Sequence, residues 1–324
     1  MYVNDFDTLP KKDTWLLFRL DAKIAEQFAD VYFLMDLASH FIMCHEIFEH
    51  EPTQQDIDKL FKAASKHKII GKRVLLAIGD PVESLVRKWS TQHQMSVETV
   101  PQAILEPILL PIKEEFGKAF ASTSTMGYGV HDSFDEDVDV EALRAFIPDS
   151  YHLCSCASGK KYKFCCKPIL EEITNAMVAA EEGNKPEALK WIEKAAEKVG
   201  KTAEVLCREA IVYSFFDMKK FEVLLEASLK LHPNHPRANY VLGILLRDRQ
   251  DFDGAIAAYQ NAIAHYPKTD YFHLNEVYNN LGTIFYNKGD LDNAQKAWET
   301  GLLYMPSDKM TKRNLQECIY KYRS

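Results

Sequence analysis

Apolar residues in the first 128 positions come in short runs, and most runs predict one element. Residues 14–20 (TWLLFRL) are apolar and aromatic and read as a strand. Residues 30–36 (DVYFLMD) and 40–47 (HFIMCHEI) read as a hairpin joined at Leu37-Ala38-Ser39, because each has a hydrophobic, aromatic centre. A single helix is the alternative, since residues 21–51 contain neither Gly nor Pro. Thr53 predicts an N-cap for a helix to about Lys66, with Asp56 at the capping-box position. Residues 73–78 (RVLLAI) read as a buried strand that stops at Gly79-Asp80-Pro81. Residues 81–92 read as a helix with Val82, Leu85, Val86 and Trp89 on one stripe. Residues 97–100 predict another strand, and residues 102–120 a helical region broken near Pro107 and Pro111. Strands alternating with helices imply an α/β layer structure over residues 1–128.

The last part of the chain repeats itself. Aligning Gly243 with Gly282 also aligns Leu242 with Leu281, Ala255 with Ala294, Tyr259 with Trp298 and Pro267 with Pro306. This pattern resembles the tetratricopeptide repeat, a helix-turn-helix unit of about 34 residues, with an insertion near residues 268–274. Small residues at Gly243, Gly282, Ala255 and Ala294 let paired helices approach. Tyr259 and Trp298 are expected to fill the gap between pairs, and Pro267 and Pro306 end each second helix. Two weaker units precede, over residues 173–199 and 205–233, and a closing helix follows over residues 309–322. Residues 169–324 are thus read as a helical stack with a cap. The resemblance implies a concave face that holds a protein or peptide, with Tyr240, Ile244 and Arg247 from the third repeat. Asn279, Thr283, Tyr286 and Asn287 would come from the fourth.

Composition narrows the setting. Hydrophobic residues make up 47% of the chain, enough to bury a core in each of about two domains. No apolar run approaches the roughly 20 residues that span a membrane, and the first residues carry no basic-then-apolar leader, so a cytoplasmic location is expected. A net charge of -8 argues against a general nucleic-acid coat. Acids crowd residues 132–141 (DSFDEDVDVE), which makes residues 129–150 an acidic linker, with a short helix expected over residues 140–146.

Candidate chemistry is densest at residues 154–167 (CSCASGKKYKFCCK). Cys154, Cys156, Cys165 and Cys166 offer four soft thiolate ligands, the donor set of a closed structural zinc site. Ser158 and Gly159 can turn the second pair back on the first, and four nearby lysines would offset thiolate charge. Disulfides or free thiols are the alternative, and the expected reducing compartment disfavours the former. The stretch resembles the SEC-C motif found at the C-terminus of the SecA translocase, C-x-C-x-S-G-x-K-x-K-x-C followed by His or Cys. That resemblance implies Zn2+ and protein contacts over residues 151–168. Cys44, Cys207 and Cys318 are expected to pack without chemistry.

Two other constellations invite chemistry. His45 and His50 stand five apart, about 140° round a helix, so they do not form a zinc-protease pair. Asp36 and Asp80 end predicted strands and Glu115 follows, loosely similar to ribonuclease H-like nucleases, in which carboxylates clamp phosphate through divalent metals. The fold expected is therefore α+β and multi-domain: an N-terminal α/β domain, a small zinc knob and an all-α solenoid of tetratricopeptide type. The function expected is a zinc-containing adaptor that binds a protein or peptide. The alternative is a metal-dependent nuclease or nucleic-acid-binding protein with a ribonuclease H-like N-terminal domain using Asp36, Asp80 and Glu115, recruited by the repeats.

Overall fold

Strand β1 (Thr14–Ile24) organises the first unit because it is buried on both faces. Its run of Trp15, Leu16, Leu17 and Phe18 has no polar alternation, as expected for a central strand. In the computed structural model, which describes residues 6, 9–24, 27–69, 71–121 and 148–323, the chain divides into two compact units, Met1–Asp137 and Val138–Ser324. The first holds a five-stranded sheet in the order β3-β2-β1-β4-β5. Strands β2 (Gln27–Asp36) and β3 (Phe41–Phe48) extend β1 as an antiparallel meander, while β4 (Arg73–Ala77) and β5 (Ser96–Val100) run parallel to it. The hairpin expected near residue 38 is present, with a bulge at Leu34/Met35. The longer hairpin between β1 and β2 was not expected, because polar Asp21 and Lys23 interrupt the apolar run that carries it.

Helices α1 (Gln54–Ser65) and α2 (Glu83–Gln92) cover the face lined by Trp15, Leu17, Tyr32, Leu34 and Val74. Helix α1 starts on the expected capping box: Asp56 Oδ2 accepts from Thr53 N at 2.8 Å, and Thr53 Oγ1 accepts from Asp56 N at 3.4 Å. Helix α3 (Gln102–Ala121) covers the other face through Leu105, Ile108 and Leu109. The break expected near Pro107 and Pro111 does not occur. The prolines lie four apart on the exposed side, where the carbonyls they leave unpaired face water.

The second unit opens on the cysteine stretch and continues as four helix pairs: α4 (Leu170–Glu181) with α5 (Lys185–Val199), α6 (Ala203–Ser214) with α7 (Met218–Leu231), α8 (Pro236–Asp248) with α9 (Phe252–His265), and α10 (Tyr271–Asn287) with α11 (Leu291–Tyr304). Helix α12 (Lys309–Arg323) closes the stack against α11. Six of these helices begin on an Asn, Asp or Thr whose side chain accepts a hydrogen bond from the first turn: Asn184, Thr202, Asp217, Asp251, Asp270 and Asp290. Tyr259 and Trp298 fill the gap to the next element as expected, Tyr259 packing in a cluster with Leu274, Val277 and Leu281 of α10 and Trp298 with Cys318 of α12, and each also seats on the glycine of its own pair. A Cβ on Gly243 would fall within the Tyr259 ring, and one on Gly282 would lie 2.7 Å from Trp298 Nε1. Trp298 Nε1 donates to the Asn279 carbonyl at 3.0 Å, so the glycine seats the ring and the hydrogen bond aligns it.

Gly282→Ala should therefore push Trp298 off its seat and destabilise the repeat unit by about 1–3 kcal/mol, the usual cost of overpacking. Urea unfolding followed by helical circular dichroism checks this, and an unchanged midpoint would contradict the packing described.

Candidate metal centre

A short antiparallel bridge, Leu153 to Lys161, holds the two ends of a loop together. Cys154 N donates to the Lys160 carbonyl at 2.8 Å, and Ala157 N donates to the Cys154 carbonyl at 3.0 Å. The chain reverses through left-handed conformations at Ala157 (φ 57°) and Gly159 (φ 77°). The glycine adopts this at little cost, whereas the alanine carries strain. Two short 3-10 turns, Tyr162–Phe164 and Lys167–Ile169, then bring Cys165 and Cys166 back towards the first pair.

The result is one cluster. The four Sγ atoms of Cys154, Cys156, Cys165 and Cys166 all lie within 4.8 Å of one another. Cys156 to Cys165 is 3.4 Å and Cys165 to Cys166 is 3.8 Å. These are too long for a disulfide of about 2.05 Å. They are close to the roughly 3.8 Å edge of a tetrahedron built on Zn–S bonds of about 2.3 Å. Hydrogen bonding among the thiols pushes Cys154 up and holds Cys156 and Cys165 down. Four sulfurs at this spacing fit a single soft divalent ion, which would bind them as thiolates. Cys154 and Cys156 are buried, Tyr162 packs on them, and the buried Lys163 lies over the Tyr151 and Phe164 rings.

The cluster rests beside charged side chains of the helical stack that the sequence reading missed. Pro148, Cys154, Ser155, Cys156, Tyr162 and Cys166 share one small cavity with Glu204, Arg208, Arg237 and His273, contributed by α6, α8 and α10. Glu204 Oε1 is 2.7 Å from Arg208 Nε and 3.5 Å from Arg237 Nε, and Glu204 Oε2 is 3.0 Å from His235 Nε2. Arg237 Nη2 reaches His273 Nε2 at 2.9 Å, and His273 Nδ1 meets Asp270 at 2.7 Å. Burial alone would raise Glu204, but Arg208, His235 and Arg237 hold it well below the carboxylate range. Burial and the Arg237 charge hold the His273 imidazole below its usual value, against the opposing pull of Asp270. The visible signal was Glu204 and Arg208 four apart on a helix.

The expected concave-face residues fare unevenly. Arg247 Nη1 donates to Asn280 Oδ1 at 2.9 Å, and Asn280 Nδ2 donates to the Tyr240 hydroxyl at 3.2 Å, so these bridge α8 and α10. Ile244 packs in the core around Tyr259 and Leu281. Asn279 Oδ1 accepts from Asn314 of the closing helix at 2.8 Å, and the Tyr286 ring lies 5.8 Å from Trp298 with Lys321 over it. Thr283 donates to the Asn279 carbonyl at 2.9 Å, and Asn287 is exposed.

Asp36 and Asp80 of the nuclease reading do not gather. Asp36 pairs with Trp15 at the start of β1, whereas Asp80 follows β4 at the opposite end of the sheet. Both are turn residues: Asp36 Oδ2 accepts from Ser39 N at 3.0 Å, and Asp80 Oδ1 accepts from Val82 N at 3.1 Å and from the Tyr32 hydroxyl at 3.1 Å. Burial raises the Asp80 carboxyl above its usual value. Glu115 is on α3, beyond the residues whose side chains are described. Asp80 does line a cleft of about 350 Å³ with Arg19, Asp21 and Lys113. His45 is on β3 and stacks on Phe33. Cys44 donates to the Leu60 carbonyl at 3.3 Å, and burial pushes it up to about 11, while Cys207 is pushed up to about 12, so neither is a nucleophile. The expected helix over residues 140–146 and most of the acidic linker lie outside the described residues.

Tetratricopeptide-repeat family models match residues 223–269 and 276–304, so the chain carries tetratricopeptide repeats. No curated protein matches it. Among solved structures the chain is similar to Pseudomonas aeruginosa pilF, at 18% identity and a TM-score of 0.42, over 48% of this chain and 69% of that one. It is also similar to MamA from Desulfovibrio magneticus RS-1, at 18% identity and a TM-score of 0.37, over 48% and 85%. A structure of the APC/C hetero-tetramer Cut9-Hcn1 is similar at 19% identity and a TM-score of 0.41, over 50% and 32%. All three TM-scores are below one half, so these likenesses carry no argument about the chain. Among the described residues, no helix is long and apolar enough to cross a membrane.

One further side chain of the repeat unit is set up to respond to pH. Burial pushes Glu276, on α10, up to about 7. An unfolded glutamate titrates near about 4.3, so the folded state keeps a proton that the unfolded state has released. Glu276 is therefore neutral to stability below about pH 4, increasingly unfavourable as pH rises to about 7, and constant above that. Glu276→Gln should gain stability over the natural protein as pH rises through this window, read by urea unfolding on either side of it. A pH-independent difference would contradict the burial assigned to Glu276.

Proposed function

We propose that the chain is a zinc-binding adaptor that holds a protein or peptide through its repeats and its cysteine knob. The observation that carries this reading is the convergence of four thiols on one point beside a tetratricopeptide stack. Four thiolates close the coordination sphere and leave no position for a reactive water, so the zinc is structural and the work is binding. The stretch's resemblance to the SEC-C motif supports zinc over other soft ions, and free thiols suit a reducing, cytoplasmic setting. By that resemblance, the reading extends to bacterial chaperone, secretion or translation-linked traffic. The partner face is the edge of the stack carrying Tyr240, Arg247, Asn280, Thr283 and Asn287.

The full-length chain as bait, with zinc quantified on the same sample, tests this. The natural protein should carry one zinc and retain a discrete bacterial partner. Arg247→Glu should keep the zinc and the helices but lose the partner, and Cys156→Ser should lose the zinc. A chain that carries no zinc when fresh and reduced, or one whose partner is indifferent to Arg247→Glu, would contradict the reading.

A further inference from the structure

The side chains under the cysteine knob are of a kind that stacked helices seldom bury. Glu204 is 7% exposed, His235 1% and His273 8%, and Asp270 is covered as well. Carboxylates and imidazoles on the inward-facing helices of an open stack would ordinarily meet water, since burying charge is costly without a matched cover. Here the cover includes the knob. Ser155, Tyr162 and Cys166 line the gap over Glu204, Arg208, Arg237 and His273, and that gap is only about 80 Å³. The Ser155 hydroxyl is buried in this gap with no hydrogen-bond partner among the described residues, and His273 holds the neighbouring Asp270 carboxyl below its usual value against the cost of burial. On the adjoining side, Cys156, Cys165 and Cys166 share a second cleft with Ala203, Glu204, His232 and His235.

The knob has little of its own to hold it in shape. Its core is Cys154, Cys156 and Tyr162, with Cys165 and Cys166 partly buried against them. A segment this small cannot bury enough apolar surface to fold unaided, and elements of this size depend on their metal. The same four thiols that hold the ion therefore also hold the knob in the form that fits the helices.

We propose that the metal-loaded cysteine knob is the resident occupant of this part of the stack, and that loss of the metal vacates a charged surface made by Glu204, Arg208, Arg237 and His273. The inference rests on the reading of the cysteines as a metal site and adds that occupancy of the site controls access to the helices. A partner seeking the edge near Arg247 meets the same surface in either state. A partner with paired charges of its own meets the Glu204 surface only after metal loss. Removal of the metal by a chelator thus changes which face of the stack is offered.

Diethylpyrocarbonate labelling of the full-length chain, mapped by mass spectrometry, tests this before and after zinc is removed under reducing conditions. The exposed His67 in the first unit serves as the constant reference. Labelling of His235 and His273 should rise several-fold on zinc removal while the helical circular dichroism is kept. Should removal also melt the helices, Ser155→Asp decides the matter by setting a second carboxylate against Asp270 without touching a ligand. That variant should keep its zinc and expose His273. Unchanged labelling in zinc-free, helical protein, or in zinc-loaded Ser155→Asp, would overturn the proposal while leaving the metal site itself intact. Absence of zinc from the fresh protein would instead overturn the underlying metal reading.

Discussion

Four thiols within 4.8 Å of one another repel as soon as more than one is ionised, and this constraint governs the second unit. A single divalent ion relieves it by dividing the negative charge among four bonds. The short bridge at Leu153 and Lys161, the reversal at Ala157 and Gly159, and the two 3-10 turns are the local devices that bring the sulfurs to one point. Tyr162 then packs on the cluster, and the assembled knob covers charged side chains of α6, α8 and α10. Local fold thus sets the sulfur cluster directly against Glu204, Arg208, Arg237 and His273.

That placement gives the repeat stack a division along its length. Its pairs are built by close approach, with glycine under an aromatic ring at Gly243–Tyr259 and Gly282–Trp298. Near the knob, its inner surface is a network of carboxylates, guanidinia and imidazoles whose charges are matched in place by Arg208, Arg237 and Asp270. Farther along, Arg247, Asn280 and Tyr240 form a smaller bridge with partial exposure.

Much of this was legible from residues alone, and the failures have physical causes. The capping box at Thr53 and Asp56, the central strand at residues 14–20 and the repeat register at Gly243 and Gly282 are local signals, and each appears as read. The four cysteines were legible because their spacing is itself the chemistry. The prolines of α3 misled because a break depends on which side of the helix they occupy, and that is a tertiary fact. Asp36 and Asp80 misled because strand ends carry turn acids, and only the sheet order shows that they lie at opposite ends. The concave-face assignments assumed an open groove. Asn279 and Tyr286 face the closing helix instead, and the Glu204 network is hidden in single charged residues on three helices far apart in the chain.

The claim on which the rest stands is that these four sulfurs bind one ion together. X-ray absorption at the zinc edge on the full-length, reduced protein reads this directly. The arrangement predicts a single shell of four sulfurs at about 2.3 Å, with no lighter neighbour in that shell. A shell containing nitrogen or oxygen, or a protein without stoichiometric zinc, would contradict it.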